Sequence, residues 1–282
     1  MQGHDYEVQL NLRIAKMKYE DIGAIFEQAA GLDFPTDVSH QVALISAGTR
    51  RDQVVVAIPT RYIYELLIKR FSGVRQQAAA RLYEVFMRNP YTKSAAGYML
   101  DGEYHRVLCK GGQWQISPMK SSNKAGRKFT HWTFQGEEPD TSVTPLYLRL
   151  GFEGQIISFS TSKLSDDATY SALPPKYYAK GSLPLEDGYY CPMSPSEETL
   201  DSFIYEASSK TATIFQATVA KLRSVKEGGI EWLQGLGVER FRYIAVTAPR
   251  LTLNFSFPNQ WRGGVVPDIP EKYVLALGSL YI

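Results

Sequence analysis

The stretch that decides the fold of this chain is LDSFIYEASSKTATIFQATVAK, residues 200–221, where two short apolar runs flank a small polar turn. This pattern predicts a β-hairpin. Because side chains alternate between the faces of a strand, Gln216 and Thr218 point to the same side of the second strand. The turn would bring Asp201, at the start of the first strand, opposite them. We therefore expect one polar cluster at the open end of an apolar hairpin.

Two plainer interpretations fit the same residues. In the first, Asp201 only caps a turn, and Gln216 satisfies a backbone group at a sheet edge. In the second, Leu200, Phe203 and Ile204 form one face of a helix. The residues around the stretch have to decide between these possibilities.

The composition is that of a folded, reduced protein. Of its 282 residues, 44% are apolar and 12% aromatic, which is enough for a sizeable core. The formal net charge of +2 excludes neither nucleic acid nor protein partners, because the distribution of charge matters more than its sum. Cys109 and Cys191 have no metal-ligand or redox spacing, so we expect an intracellular protein, with the nucleus as one compartment. No apolar run approaches the roughly 20 residues that span a bilayer, so no membrane segment is expected.

Residues 1–90 are predicted to form a helical and hairpin N-terminal unit. The runs HQVALIS and DQVVVAI, separated by AGTRR, indicate a hairpin. Thr60 is a candidate N-cap for the helical spacing that follows, and Pro90 ends it. Residues 91–282 begin with a helix from near Ser94 to Gly111 and then change to strand spacing. This order predicts a mixed α/β (α+β) arrangement around one sheet.

Besides the hairpin, two groups of strands, a short helix and one loop are predicted beyond that helix. Strands are expected at QWQISPM, HWTFQ, LYLRLGF and QIISFST, and again at FRYIAVTA and KYVLALGSLYI after a short helix in SVKEGGIEWLQGLG. The proline- and tyrosine-rich residues 165–198 are predicted to form an ordered surface loop.

The helix near Ser94 carries Asp101 and His105 one turn apart on one face, with Glu103 as a second acidic candidate. A series of short motifs begins in this helix and continues along the chain. In chain order these are Gly97-Tyr98, His105, Gly111-Gly112, Tyr189 to Pro192, Asp201, and Phe215 to Thr218.

This series resembles the C-terminal restriction-endonuclease-like module of Crinkler and retrotransposon-hot-spot-type effectors, which are common in fungi and oomycetes. The resemblance covers about residues 90–282, and residues 1–90 are similar to the tail of the ATPase module that precedes it in longer members. It implies a restriction-endonuclease-like central sheet flanked by helices. It also implies a nuclease, that is, a Mg²⁺- or Mn²⁺-dependent hydrolase of phosphodiester bonds. DNA is expected as the substrate rather than RNA.

The resemblance also implies which residues act. A carboxylate and a backbone carbonyl hold the hard cation, which lowers the pKa of the attacking water. The implied metal ligands are Asp101, Asp201 and Gln216. The implied catalytic residues are these three together with His105, Thr218 and Lys221.

The chain departs from restriction-endonuclease-like nucleases at large in two residues, and these keep a second interpretation open. The acid expected on the second hairpin strand is the neutral Gln216, a weaker ligand, and the expected lysine is Thr218, which carries no charge. Lys221 or Lys210 would then have to supply the cation. The alternative is a catalytically degenerate interaction or effector module that binds nucleic acid or protein without turnover.

A basic stretch without acids extends from Tyr104 to Gly136. Its cations are predicted to contact a nucleic-acid backbone, with a solvated loop as the plainer interpretation. The predicted contact residues are Lys120, Lys124, Arg127 and Lys128. Trp114 and Trp132 in this stretch are expected to lie in the core, and protein partners are expected to bind through residues 1–90.

Overall fold

The structure is a computed structural model that describes residues 2–18, 42, 44–47, 54–57, 60, 62–63, 66–67, 70, 83, 86–87, 93–122, 129–136, 144–179, 181, 183–193, 200–258 and 271–277. The chain divides into two compact units, residues 1–100 with 279–282 and residues 101–278. The predicted boundary at residue 90 stays a prediction. The fold is mixed α/β, as expected, and mostly sheet, but the strands after residue 110 form two sheets and not the single sheet that was predicted.

The first unit contains a helix that the sequence analysis overlooked. Helix α1 spans Gln2–Lys16, and its buried side chains Leu10 and Ile14 lie one turn apart. The predicted hairpin is confirmed, because β1 (Leu44–Ala47) pairs antiparallel with β2 (Val54–Ala57).

The predicted N-cap is confirmed as well. The backbone N–H of Ile63 donates to Oγ1 of Thr60 over 3.2 Å. Ile63 and Leu67 are helical and buried, and so is Phe86 further along the chain.

Helix α2, Lys93–Cys109, ends where the glycine pair predicted. Gly111 has a φ of +72°, in the left-handed region, and its N–H donates to the carbonyl of Leu108 over 3.0 Å. A Cβ at Gly111 would lie 2.6 Å from the backbone oxygen of Ser171. Glycine is therefore required at this turn by both its φ and the close approach of the backbone.

The second unit is built from two sheets and helix α3, Gly228–Gly235. Its strands are β3 (Gly112–Pro118), β4 (Lys120–Ser122), β5 (Phe129–Phe134), β6 (Leu146–Phe152), β7 (Gln155–Ser160), β8 (Pro175–Tyr178), β9 (Gly188–Pro192), β10 (Ser202–Glu206), β11 (Thr211–Ala217), β12 (Leu222–Ser224), β13 (Arg240–Thr247), β14 (Leu253–Pro258) and β15 (Glu271–Ala276).

Nine of these strands form one mixed sheet in the order β7-β6-β3-β15-β13-β11-β10-β9-β8. At its centre β9, β10 and β11 run antiparallel, and β11, β13 and β15 run parallel. Helix α3 lies between β11 and β13 in the chain, which provides the crossover that a parallel pair needs. Strand β11 is buried along its whole length, as is typical of a central strand with neighbours on both sides.

The smaller sheet has the order β12-β14-β5-β4. Its aromatic side chains Phe255 and Phe257 pack edge-on against Tyr243 of the large sheet, with ring centroids 5.8 and 5.1 Å apart from that of Tyr243. Both rings are buried in the same core as Ile230 and Leu233 of α3. This packing sets β12 beside the central strands.

The predicted surface loop over residues 165–198 is wrong in part. This segment contributes β8 and β9, and Tyr189, Tyr190 and Cys191 of β9 are buried. The prolines that suggested a loop lie at strand ends, since Pro175 begins β8 and Pro192 ends β9. Three of its tyrosines, Tyr178, Tyr189 and Tyr190, are therefore buried against the central sheet, whereas Tyr177 is exposed.

Candidate functional site

The hairpin of β10 and β11 places Asp201 opposite Gln216. The strands are antiparallel and Ser202 faces Phe215, so the residue before Ser202 aligns with the residue after Phe215. Opposed residues of an antiparallel pair share one face of the sheet. The backbone N–H of Ala217 donates to Oδ2 of Asp201 over 2.7 Å. The predicted hairpin is confirmed, and the helical alternative for this stretch is wrong.

Helix α2 brings Asp101 to the same cluster. The hydroxyl of Tyr104, on the next turn of α2, lies 3.2 Å from Oγ of Ser202 in β10, and both side chains are buried. The charge of Asp101 raises the pKa of Asp201, so the two carboxylates lie close enough to repel each other. Two acids far apart in the sequence therefore interact electrostatically at this end of the hairpin.

One oxygen of Asp101, Oδ1, is buried without a hydrogen-bond donor among the described residues. Nε2 of His105 lies 3.5 Å from it, within ion-pair range but long for a hydrogen bond. Glu103, the other acidic candidate, pairs with Arg106 at the exposed surface. Asp101 is therefore the helix acid of this site.

Burial raises the pKa of the Asp201 carboxyl from 3.8 to about 7. Asp101 adds to this effect, whereas the guanidinium of Arg223 and the N–H of Ala217 oppose it. Desolvation and a neighbouring like charge both disfavour the ionised form. The Asp201 carboxyl therefore changes its protonation near neutral pH.

The amide of Gln216 lies between a phenol and a guanidinium, and its side chain is buried. Oriented to suit both neighbours, its Nε2 donates to the hydroxyl of Tyr243, and its Oε1 accepts from Nη2 of Arg223 over 2.6 Å and from Nε over 3.2 Å. The opposite orientation would set amide N–H groups against guanidinium donors. The amide oxygen therefore already has a cationic partner.

His105 begins a buried chain of polar contacts. Its Nδ1 lies 2.5 Å from the hydroxyl of Tyr189, which donates to Oγ of Ser202 over 3.0 Å. The tautomer of His105 decides which atom donates in the contact between its Nδ1 and the Tyr189 hydroxyl. Sγ of Cys191 lies 3.5 Å from the same Nδ1, and burial raises the pKa of this thiol to about 12. This chain orients His105, with its Nε2 toward Asp101.

The other predicted catalytic residues have different surroundings. Thr218 is buried, and its hydroxyl accepts from the N–H of Ala220 over 3.1 Å at the end of β11. The side chain of Lys221 is exposed. Lys210 lies at the turn end of the hairpin and pairs with Glu239, so its predicted role beside Asp201 is wrong.

The basic stretch is described only in part. Lys120 lies on β4 with an exposed side chain, whereas Lys124, Arg127 and Lys128 lie outside the described residues. Trp114 is buried, as expected for a core residue. Trp132 is partly buried, and the ammonium of Lys272 lies 4.1 Å from its ring centroid.

The sequence analysis missed Arg223 and Tyr243 at this site. Arg223 lies on β12, whose three residues are too few to show a periodic pattern. Tyr243 lies in the predicted strand FRYIAVTA, where its hydroxyl within a mostly apolar run was the available signal. Tyr189 belonged to a recognised motif, but its contact with His105 depends on the pairing of β9 with β10.

Comparisons of the chain with protein-family models, with curated proteins and with solved structures found no match. Within the described ranges, no group of three or more His, Cys, Asp or Glu side chains is arranged to hold a metal ion. No helix in the described part of the chain is long and apolar enough to cross a membrane.

Proposed function

We propose that this chain is a metal-dependent nuclease of restriction-endonuclease-like fold. The observation that carries the proposal is the meeting of Asp101 and Asp201 beside Gln216, at the open end of the central hairpin. A mixed central sheet with helices before and within it supports the fold assignment. The acid on the preceding helix is the arrangement that the family resemblance implies.

The residues present suit a hard divalent cation. Magnesium is commonly held by one or two carboxylates and keeps several water ligands. Asp101 and Asp201 supply two carboxylates, and the buried Oδ1 of Asp101 lacks a hydrogen-bond donor among the described residues. Gln216 contributes less, because its oxygen accepts from Arg223. The proposed metal ligands are therefore the two acids.

The bound cation would lower the pKa of a coordinated water and stabilise charge on the phosphate. The protein residues prepare the ligands for that role. The N–H of Ala217 orients Oδ2 of Asp201, and burial holds its carboxyl near the midpoint of titration at neutral pH. The contact from Tyr104 to Ser202 holds α2 against the hairpin, so Asp101 stays near Asp201.

One observation favours the degenerate alternative, a module that binds without turnover. Thr218 stands where the lysine is expected, and its hydroxyl is engaged by Ala220. If no other cation assists the reaction, the chain would keep the nuclease fold but would not catalyse phosphodiester hydrolysis. This alternative predicts binding of nucleic acid without cleavage.

Cleavage of labelled DNA and RNA in Mg²⁺ or Mn²⁺ tests the proposal. We expect metal-dependent products from the wild type, and a loss of about 10³-fold or more for Asp201→Asn and for Asp101→Asn. Asp166→Asn is the matched control, since Asp166 is exposed and pairs with Lys163. Cleavage that survives the double substitution of Asp101 and Asp201 would contradict the proposal. Binding without products from the wild type would select the degenerate module.

A further inference from the structure

We propose that Arg223 binds the scissile phosphate and is the cation of this site, in the role that Thr218 cannot fill. The inference rests on the proposed nuclease function and deepens it. It assigns to Gln216 a positioning role toward Arg223 rather than a place among the metal ligands.

The backbone around Arg223 is held by the smaller sheet. Strand β12 pairs in parallel with β14, where Arg223 lies opposite Phe255, and the N–H of Asn254 donates to the carbonyl of Lys221 over 2.7 Å. Leu222 and Ser224 are exposed, whereas the side chain of Arg223 is partly buried. Alternation along the strand therefore turns Arg223 inward, toward the polar end of the hairpin.

The guanidinium of Arg223 still has donors to offer a ligand. Among the described residues its hydrogen bonds go to Oε1 of Gln216 alone, through Nη2 and Nε. A guanidinium carries five N–H donors in a planar fork that suits two oxygens of a phosphate. Its charge also acts on Asp201, so it lies in the electrostatic field of the acids. A phosphate held there would contact the guanidinium of Arg223.

A second layer fixes this orientation. Tyr243 is fully buried in β13, and its hydroxyl accepts from Nε2 of Gln216. Because one end of the amide is held by Tyr243, the other end presents its oxygen to Arg223. Burial raises the pKa of Tyr243, so the phenol is neutral at physiological pH. Tyr243 therefore positions Gln216, and Gln216 in turn positions Arg223.

The first experiment measures binding and needs no turnover. The affinity of the full chain for a fluorescein-labelled DNA duplex is measured in EDTA over a range of salt, for wild type and for Arg223→Gln, Arg223→Lys and Arg240→Gln. Arg240→Gln is the matched control, since Arg240 is exposed at the start of β13, where it aligns with Thr211 at the other end of β11. Loss of one phosphate contact should lower the slope of log K against log salt by about 0.9.

We expect this lower slope for Arg223→Gln, a slope near that of wild type for Arg223→Lys, and no change for Arg240→Gln. The second experiment is cleavage in Mn²⁺, where we expect a loss of about 10²-fold to 10³-fold for Arg223→Gln. Arg223→Lys should recover part of this loss, since a lysine keeps the charge but not the fork. Tyr243→Phe should lose roughly tenfold or less, because it removes one orienting hydrogen bond.

The outcomes separate this inference from the nuclease proposal. If the wild type binds but does not cleave, a lower slope for Arg223→Gln supports the phosphate contact, and the nuclease proposal alone fails. If Arg223→Gln binds with the wild-type slope, the inference is overturned, whether or not the wild type cleaves. If the wild type does not bind nucleic acid, both proposals are overturned. Thermal unfolding of each variant shows whether it is folded.

Discussion

Each end of strand β10 has a partly buried carboxyl group, and the arginine near each carboxyl binds a different partner. Asp201 precedes the strand and Glu206 ends it, and burial raises the pKa of both carboxyls. Glu206 accepts a hydrogen bond from Nη1 of Arg242 over 2.9 Å, and the same guanidinium donates to Glu271 over 2.7 Å. At the Asp201 end, the arginine donates instead to the neutral Gln216.

The difference distinguishes a closed ion-pair network from an open one. At the Glu206 end, one arginine serves two acids, and its guanidinium also lies 4.8 Å from the ring centroid of Phe159. At the other end, two acids repel each other while the cation is directed at an amide. Two buried acids that repel each other reduce stability more than a buried acid that is paired with an arginine. Residues held in an unfavourable state of this kind are typical of functional sites.

The largest effect on stability is expected for Asp201→Asn. The pKa of Asp201 is raised from 3.8 to about 7 in the folded protein. Between these two values the folded state binds a proton that the unfolded state has lost, so the free energy of unfolding falls as the pH rises. The asparagine variant should therefore be more stable than wild type at pH 8, by up to about 4 kcal/mol.

Urea unfolding of both proteins across the pH range measures this gain. The difference between variant and wild type should approach zero below about pH 4, grow up to about pH 7 and stay constant above it. A constant difference over the whole range would mean that Asp201 titrates normally, and the comparison with Glu206 would fail.

A smaller effect on stability is expected at the closed end. Replacing Glu206 by Gln removes the charge that pairs with Arg242, at a position where both side chains are largely buried. Because the pKa of Glu206 is raised even beside Arg242, we expect a change of less than about 1 kcal/mol in the free energy of unfolding at neutral pH. Nuclease activity should persist in this variant. Cleavage that falls as far as in Asp201→Asn would show that the two ends are not separate in function.

The smallest effect is expected from added metal. Mn²⁺ at about ten times its dissociation constant should stabilise the wild type by about 1.4 kcal/mol, a shift of a few degrees in Tm. The shift should be present at pH 8 and reduced at pH 5, where the protonated carboxyl of Asp201 cannot bind a cation. Glu206→Gln should keep the shift and Asp201→Asn should lose it. An equal shift in both variants would place the metal elsewhere.

Local patterns in the sequence were sufficient for several elements. Alternating apolar residues around a short turn predicted β10 and β11, and the glycine pair predicted the end of α2. Strands β4, β8, β9, β12 and β14 and helix α1 were missed. Strand β8 has four residues and β12 three, which is too short for a periodic signal, and their positions depend on partners distant in the sequence.

For the site, the sequence by itself determined which polar residues the hairpin carries and that Asp201 lies opposite Gln216, because alternation and a short turn set the register. It also supplied Asp101, as an acid on the face of a helix. Only the tertiary structure decided which cation serves Gln216. The choice of Arg223 rather than Lys221 follows from the pairing of β12 with β14 in the smaller sheet. That pairing buries aromatic side chains far from either residue in the sequence, so no local pattern around residues 221–223 encodes it.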